Sequence, residues 1–188
     1  MKKTSIYILI FFSMLKAQDF IPEHGKVVNY TQIFFGWPQI NNSNLYKIYI
    51  NDNNQENVYV SENNSVLIAD LNWGSEYSWV VCGYDSFDNL IICYQPLDFT
   101  INQLPENYPQ NVNILYLDES QYNPGITMLD YESLNFSVAL DKFGQAVWFA
   151  DRTQFNNSRI LVTQFLSSGN IVGFGTGRGY EFNLDSEI

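Results

Sequence analysis

Few residues in this chain have types and spacing that could do chemistry. His24, in Pro22-Glu23-His24-Gly25, is the only histidine. A neutral imidazole can act as a nucleophile or a general base. No cluster of polar partners surrounds it in the sequence, so it reads as a solvated loop histidine. Cys82 and Cys93 are the only cysteines, and two thiols with one distant histidine do not supply a closed metal ligand set. No metal, cofactor or catalytic residue is therefore assigned. If Tyr84 faces Ile91 across the turn from Asp85 to Leu90, Cys82 faces Cys93 two residues further along the ladder. That register fits either a disulfide or two small apolar residues on adjacent strands. Arg178 lies in Gly173-Phe174-Gly175-Thr176-Gly177-Arg178-Gly179. The run lacks the glycine spacing and the βαβ setting of a dinucleotide fingerprint, and reads as a Gly-rich turn between strands. Asp118-Glu119, Asp85 with Asp88, and Asp151 with Arg152 read as solvated turn charges.

The elements that must position these residues are strands. In Asn135 to Phe149, Phe136, Val138 and Leu140 alternate with Ser137 and Ala139. Asp141 to Gln145 makes a Gly-containing turn, and Ala146 to Phe149 returns as a second strand. Near the end of the chain Tyr180, Phe182, Leu184 and Asp185 fall 44 positions after Phe136, Val138, Leu140 and Asp141. A period of about 40 to 45 residues is that of propeller blades. Earlier, Ile33, Phe35 and Trp37 alternate, as do Tyr46, Ile48 and Ile50, and Tyr77, Trp79 and Val81. Val58 with Val60, Val66 to Leu71, and Leu97 to Ile101 complete a series of short strands separated by Asn-rich turns. This spacing predicts an antiparallel sandwich. Leu71-Asn72-Trp73-Gly74-Ser75-Glu76-Tyr77 has the L-x-x-G-x-x-Y form of a tyrosine corner. With Trp37 on an early strand it resembles a fibronectin type III domain over residues 20–103.

Leu104 to Pro109 carries two prolines and reads as an extended linker over 104–109. Beyond it, Val112 to Leu117, Ile126 to Asp130 and the Asn135–Phe149 hairpin supply four strands, enough for one blade. Ile160 to Leu166, Ile171 to Gly175 and Tyr180 to Leu184 supply three of a next. The expected fold is thus all-β, a fibronectin type III-like sandwich followed by about one and a half blades of an incomplete β-propeller over 110–188. Trp148 belongs to its organising hairpin. Such a partial array should leave strand edges exposed.

At the N-terminus Lys2 and Lys3, the apolar run from Ile6 to Leu15 and the small residue Ala17 fit a secretory signal over 1–17. A periplasmic or secreted location is expected, with no membrane association after cleavage. Removing those residues leaves 6 basic against 20 acidic and moves the formal charge from −11 to −14. Such a surface repels nucleic acid and anionic lipid. A secreted setting with an even cysteine count favours pairing of Cys82 with Cys93.

The order of features resembles the bacterial arylsulfotransferase family in its periplasmic propeller form. The residues that carry the likeness are Asn123-Pro124-Gly125-Ile126-Thr127, the hairpin from Val138 to Trp148, and Phe165-Leu166-Ser167-Ser168-Gly169-Asn170. The resemblance spans the mature chain and only the first portion of the family's length. The resemblance implies transfer of a sulfuryl group from an aryl sulfate to a phenolic acceptor through a histidine. That family commonly carries histidine on the strand before the turn that corresponds to Leu166–Asn170. Here that strand reads Ile160-Leu161-Val162-Thr163, so the chain as it stands is expected to be inactive. The resemblance also offers Arg178 as a sulfate contact inside a propeller channel. The alternative from a different class is a secreted binding or adhesion protein, with a homodimer through the sandwich as one form of contact.

Overall fold

The computed structural model describes residues 19–52, 55–106, 108, 112–118, 120–121, 125–131 and 136–188. The expected signal segment and the first two residues of the Asn123-Pro124-Gly125 turn lie outside the described residues. Every regular element longer than one turn is a strand, so the chain is all-β.

The first strands are β1 (Lys26–Val28), β2 (Ile33–Gly36), β3 (Leu45–Asn51), β4 (Glu56–Ser61) and β5 (Ser65–Ile68). They are followed by β6 (Glu76–Tyr84), β7 (Leu90–Cys93) and β8 (Leu97–Ile101). One sheet runs β1-β8-β6-β3-β4, with β7 also on β6, and β2 pairs β5 in a second. The two pack face to face because alternation puts one row of each strand inward. Ile33, Phe35 and Trp37 meet Tyr46, Ile48, Ile50, Tyr77, Trp79, Val81 and Phe99 in one buried cluster. β1 joins β8 in parallel, and Ile21 bridges to Gly36 on the edge of the smaller sheet.

The corner before β6 explains three residues of the L-x-x-G-x-x-Y pattern. Tyr77 is buried, and its hydroxyl accepts the Asn72 N–H at 2.8 Å. Leu71 is buried beside it. Gly74 sits at φ +70°, a left-handed conformation open to glycine, and a Cβ there would press on Gln103 Cγ at 2.9 Å. Tyr77→Phe is expected to lower stability by about 1 kcal/mol, because the bond between the Asn72 N–H and the buried Tyr77 ring's hydroxyl is lost. An unchanged denaturant midpoint would remove the corner from the list of stabilising features.

The second half holds β9 (Thr127–Tyr131), β10 (Phe136–Leu140) and β11 (Ala146–Phe149), ordered β11-β10-β9. A short 3₁₀ turn, Arg152–Phe155, leads to β12 (Leu161–Phe165), β13 (Ile171–Gly175) and β14 (Arg178–Phe182), also a meander. The two sheets share a core of Ala139, Trp148, Ala150, Phe155, Ile160, Ile171 and Phe182. Ser137, wholly buried, ties them further: its hydroxyl lies between the Asp130 carboxylate and the Ile160 carbonyl, either of which can take its one proton, and accepts the Val162 N–H.

The structure corrects several expectations. The strand expected over Val112 to Leu117 does not form; Leu115 and Tyr116 project into solvent at 97% and 82% exposure. The open edge of the first small sheet is met instead by a short backbone bridge from the residues after β1. The Thr31 N–H donates to the Val147 carbonyl, and the Phe149 N–H donates to the Asn29 carbonyl. Residues 29–31 thereby cover the edge of β11 that an isolated partial array would leave exposed. Within the expected linker, Tyr108 is buried against Val138, Leu140 and Ala146 with Leu104 and Trp73 alongside. The strand expected at Tyr180 to Leu184 begins two residues earlier. Its closing turn opens at Asn183, so the residue that matches Asp141 is Asn183 and not Asp185.

That turn is one design used three times. Asp85, Asp141 and Asn183 each accept, through the side-chain oxygen, backbone N–H groups two and four residues later. The fourth residue is left-handed in each: Asp88, Gly144 and Ser186. Asx side chains mimic a backbone turn in this way.

Candidate functional site

The residues singled out by sequence do not converge. His24 accepts the Asp98 N–H at Nδ1 (3.3 Å), and both side chains are mostly exposed. Arg178 opens β14 just after the two-residue turn Thr176-Gly177 and is exposed at a hairpin tip. Cys82 and Cys93 are register partners joined by a disulfide with S–S 2.01 Å. The register around them differs from simple counting: Tyr84 faces Leu90, and a bulge between Gly83 and Tyr84 restores Cys82 to Cys93. Trp37 is buried edge-on to Tyr46 at 5.3 Å, a packing role. Among the described residues no group of three His, Cys, Asp or Glu side chains is placed to hold a metal ion.

Two concave surfaces lie at the seam between the sandwich and the small sheets, and a shallower one is lined by Asp19, Phe20, Glu23, His24 and Leu97. One groove of about 480 Å³ runs between Asn102–Glu106 and Phe149–Thr153, with Arg152 and Glu106 facing into it. A second of about 480 Å³ lies near the tyrosine corner, walled by Asp70, Trp73, Tyr108, Asp141 and Phe143. Trp73 spans this seam: its indole N–H donates to the Ala146 carbonyl at 3.0 Å, and its ring lies 5.5 Å from that of Phe149. Asp70 accepts the Tyr59 hydroxyl at 2.9 Å, and burial together with that bond pushes the Tyr59 phenol up to about 12. Two carboxylates with no cation in the lining repel anions, so this second groove suits neutral or cationic groups and not a sulfate ester.

The densest electrostatic arrangement is elsewhere on the seam. Lys26 Nζ lies 3.0 Å from Asp185 and 3.1 Å from Glu187, joining the first strand to the last turn. Burial lowers the Lys26 ammonium, but its hydrogen bonds to Asp185 and Glu187 together hold it above the usual lysine range. Burial pushes the Asp185 carboxyl up in spite of Lys26. Glu187 is held below its ordinary value by the Asn183 amide and then by Lys26. Tyr30, largely buried and beside Asp185, is pushed up, first by burial and then by that negative charge. None of Lys26, Tyr30 and Glu187 stood out in the sequence, and Asp185 did so only as a member of the echo. The periodic strand pattern carries no signal for a pairing 161 residues apart.

Compared with known proteins, the chain matches no family model and no curated protein. No helix among the described residues is long and apolar enough to cross a membrane.

Proposed function

We propose that this chain is a secreted scaffold: a fibronectin type III-like sandwich that seats the opening blades of an arylsulfotransferase-like propeller and is not itself a catalyst. The single observation that carries this reading is the joint between the two halves. Residues 29–31 bridge to the β11 edge of the β11-β10-β9 sheet, and Trp73 and Tyr108 are packed into the same seam. A sandwich whose chain meets the outer edge of the first meander serves as a foundation for stacked sheets. The order β8-β6-β3-β4 opposite β2-β5, with a tyrosine bonded back across the corner, supports the fibronectin-like assignment. Two successive meanders packed through a common core support the blade assignment. Periplasmic export, with the Cys82–Cys93 bridge suited to an oxidising compartment, belongs to the same proposal.

The test is sulfuryl transfer from nitrophenyl sulfate to phenol by the purified chain. Release of nitrophenolate at the buffer-blank rate is expected. Turnover that His24→Ala abolishes would overturn the scaffold reading, since His24 is the chain's only imidazole nucleophile.

A second reading, a binding or adhesion module, is favoured by the outer face of the large sheet. Val58, Val60 and Leu90 are each at least half exposed there, beside Tyr49 and Tyr84, whose hydroxyls meet at 3.1 Å. An exposed apolar face of this kind marks interaction surfaces. This reading includes the homodimer through the sandwich.

A further inference from the structure

We infer that the turn Asn183–Glu187 is a charge-held latch, fastened by Lys26, that closes over Trp148 and ties the Asp151 end of the groove between Asn102–Glu106 and Phe149–Thr153 to β1. The turn touches one wall of that groove directly, at Asp151, and reaches the other only through Asn29. On the sandwich side the Asn29 amide reaches the Asp185 carbonyl at 3.5 Å, and the Asn102 amide donates to Asn29 at 2.7 Å. On the other side the Asp151 N–H donates to the Ser186 hydroxyl at 2.9 Å, and the Trp148 indole N–H donates to the Leu184 carbonyl at 2.7 Å. The turn thus adds a second clasp where Asn29, which accepts the Phe149 N–H and the Asn102 amide, already joins the two walls.

Lys26 is what keeps the turn seated. Its ammonium holds one oxygen of Asp185, while the other oxygen, Oδ1, is buried with no hydrogen-bond partner. A half-buried carboxylate left with only the Tyr30 hydroxyl beside it is costly once its cation leaves, so the turn loosens with the loss of that charge. The titratable and charged groups gathered there are Lys26 from β1, Tyr30 from the segment after it, and Asp185 and Glu187 from the turn itself. Asn29, Asn183, Ser186 and Trp148 complete the contact as neutral groups. Lys26 and Glu187 are open enough to water for salt to weaken the pair. Release would uncover Trp148 and free Asp151 from Ser186, while the Asn29 link between the walls stays in place. The latch is therefore a local opening separate from unfolding of the sandwich.

The experiment is hydrogen exchange on the full chain, native, Lys26→Met and Lys26→Arg, with acrylamide quenching of tryptophan as a second readout. In Lys26→Met, exchange of the protected amides in 183–187 and of the Asp151 amide should speed up by about tenfold or more, with β6 (Glu76–Tyr84) unchanged. Lys26→Arg should restore native protection. Native protein at raised ionic strength should show the same acceleration at 183–187 without any substitution. Native-like protection of the turn in Lys26→Met, or acceleration spread equally into β6, would overturn the latch.

Discussion

Trp148→Ala is expected to destabilise the chain by about 3–5 kcal/mol, the range for removing a buried tryptophan. The side chain is 3% exposed and packs among Ala139, Phe155, Ile160 and Phe182 at the core shared by the two small sheets. Alanine removes the ring that fills the space between the sheets, and residual cavity volume adds to the lost transfer energy. It also leaves the Leu184 carbonyl without its indole donor, so the last turn loosens along with the core. Trp148→Phe separates the two contributions, because it keeps much of the ring and loses only the hydrogen bond, at about 1–2 kcal/mol beyond any packing change. Urea titrations of the three proteins at one temperature measure both differences. A midpoint for Trp148→Ala within error of the native one would mean that the two small sheets do not share a core.

Gly175→Ala should be as damaging for the opposite reason, an atom too many. Gly175 ends β13 with an ordinary extended backbone, so its conformation alone would accept alanine. A Cβ built there would collide with the Arg159 carbonyl oxygen and press on Ile160 Cδ1 at 2.9 Å. The carbonyl is backbone and cannot rotate away as a side-chain end could. The connection into β12 must shift, at about 3 kcal/mol or more, the upper part of the range for overpacking. Gly179→Ala is the matched control, since a Cβ there meets nothing within 4 Å. Thermal unfolding of the pair checks this: a large loss of Tm is expected for Gly175→Ala and a small change for Gly179→Ala. Equal effects would show that β13 does not pack against residue 159 as described.

The run Gly173 to Gly179 shows where sequence reasoning stops. The run reads both as a Gly-rich turn and, through Gly175, as the end of a strand; the strand forms, and only Thr176-Gly177 turns, with both residues at positive φ. Gly173 and Gly175 lie inside β13, where close neighbours leave no room for a side chain. Composition marks a glycine as special without saying whether the cause is a dihedral or a neighbour.

The sequence by itself determined what is local. Alternation at Ile33/Phe35/Trp37, Tyr46/Ile48/Ile50 and Tyr77/Trp79/Val81 predicted which faces are buried, because a strand's period of two is fixed by backbone geometry. Turn chemistry at Asp85 and Asp141 was equally legible, since an Asx oxygen reaches only backbone a few residues away. The tertiary structure alone decided what is distant. Val112 to Leu117 had the right residues for a strand, yet the β11 edge went to residues 29–31, which the chain brings there from more than a hundred positions away. The seam grooves and the Lys26 clasp on Asp185 and Glu187 arise the same way. An edge strand can accept any extended partner and a lysine any carboxylate. Which one arrives depends on how the packed faces bring the ends together, and no local pattern records that.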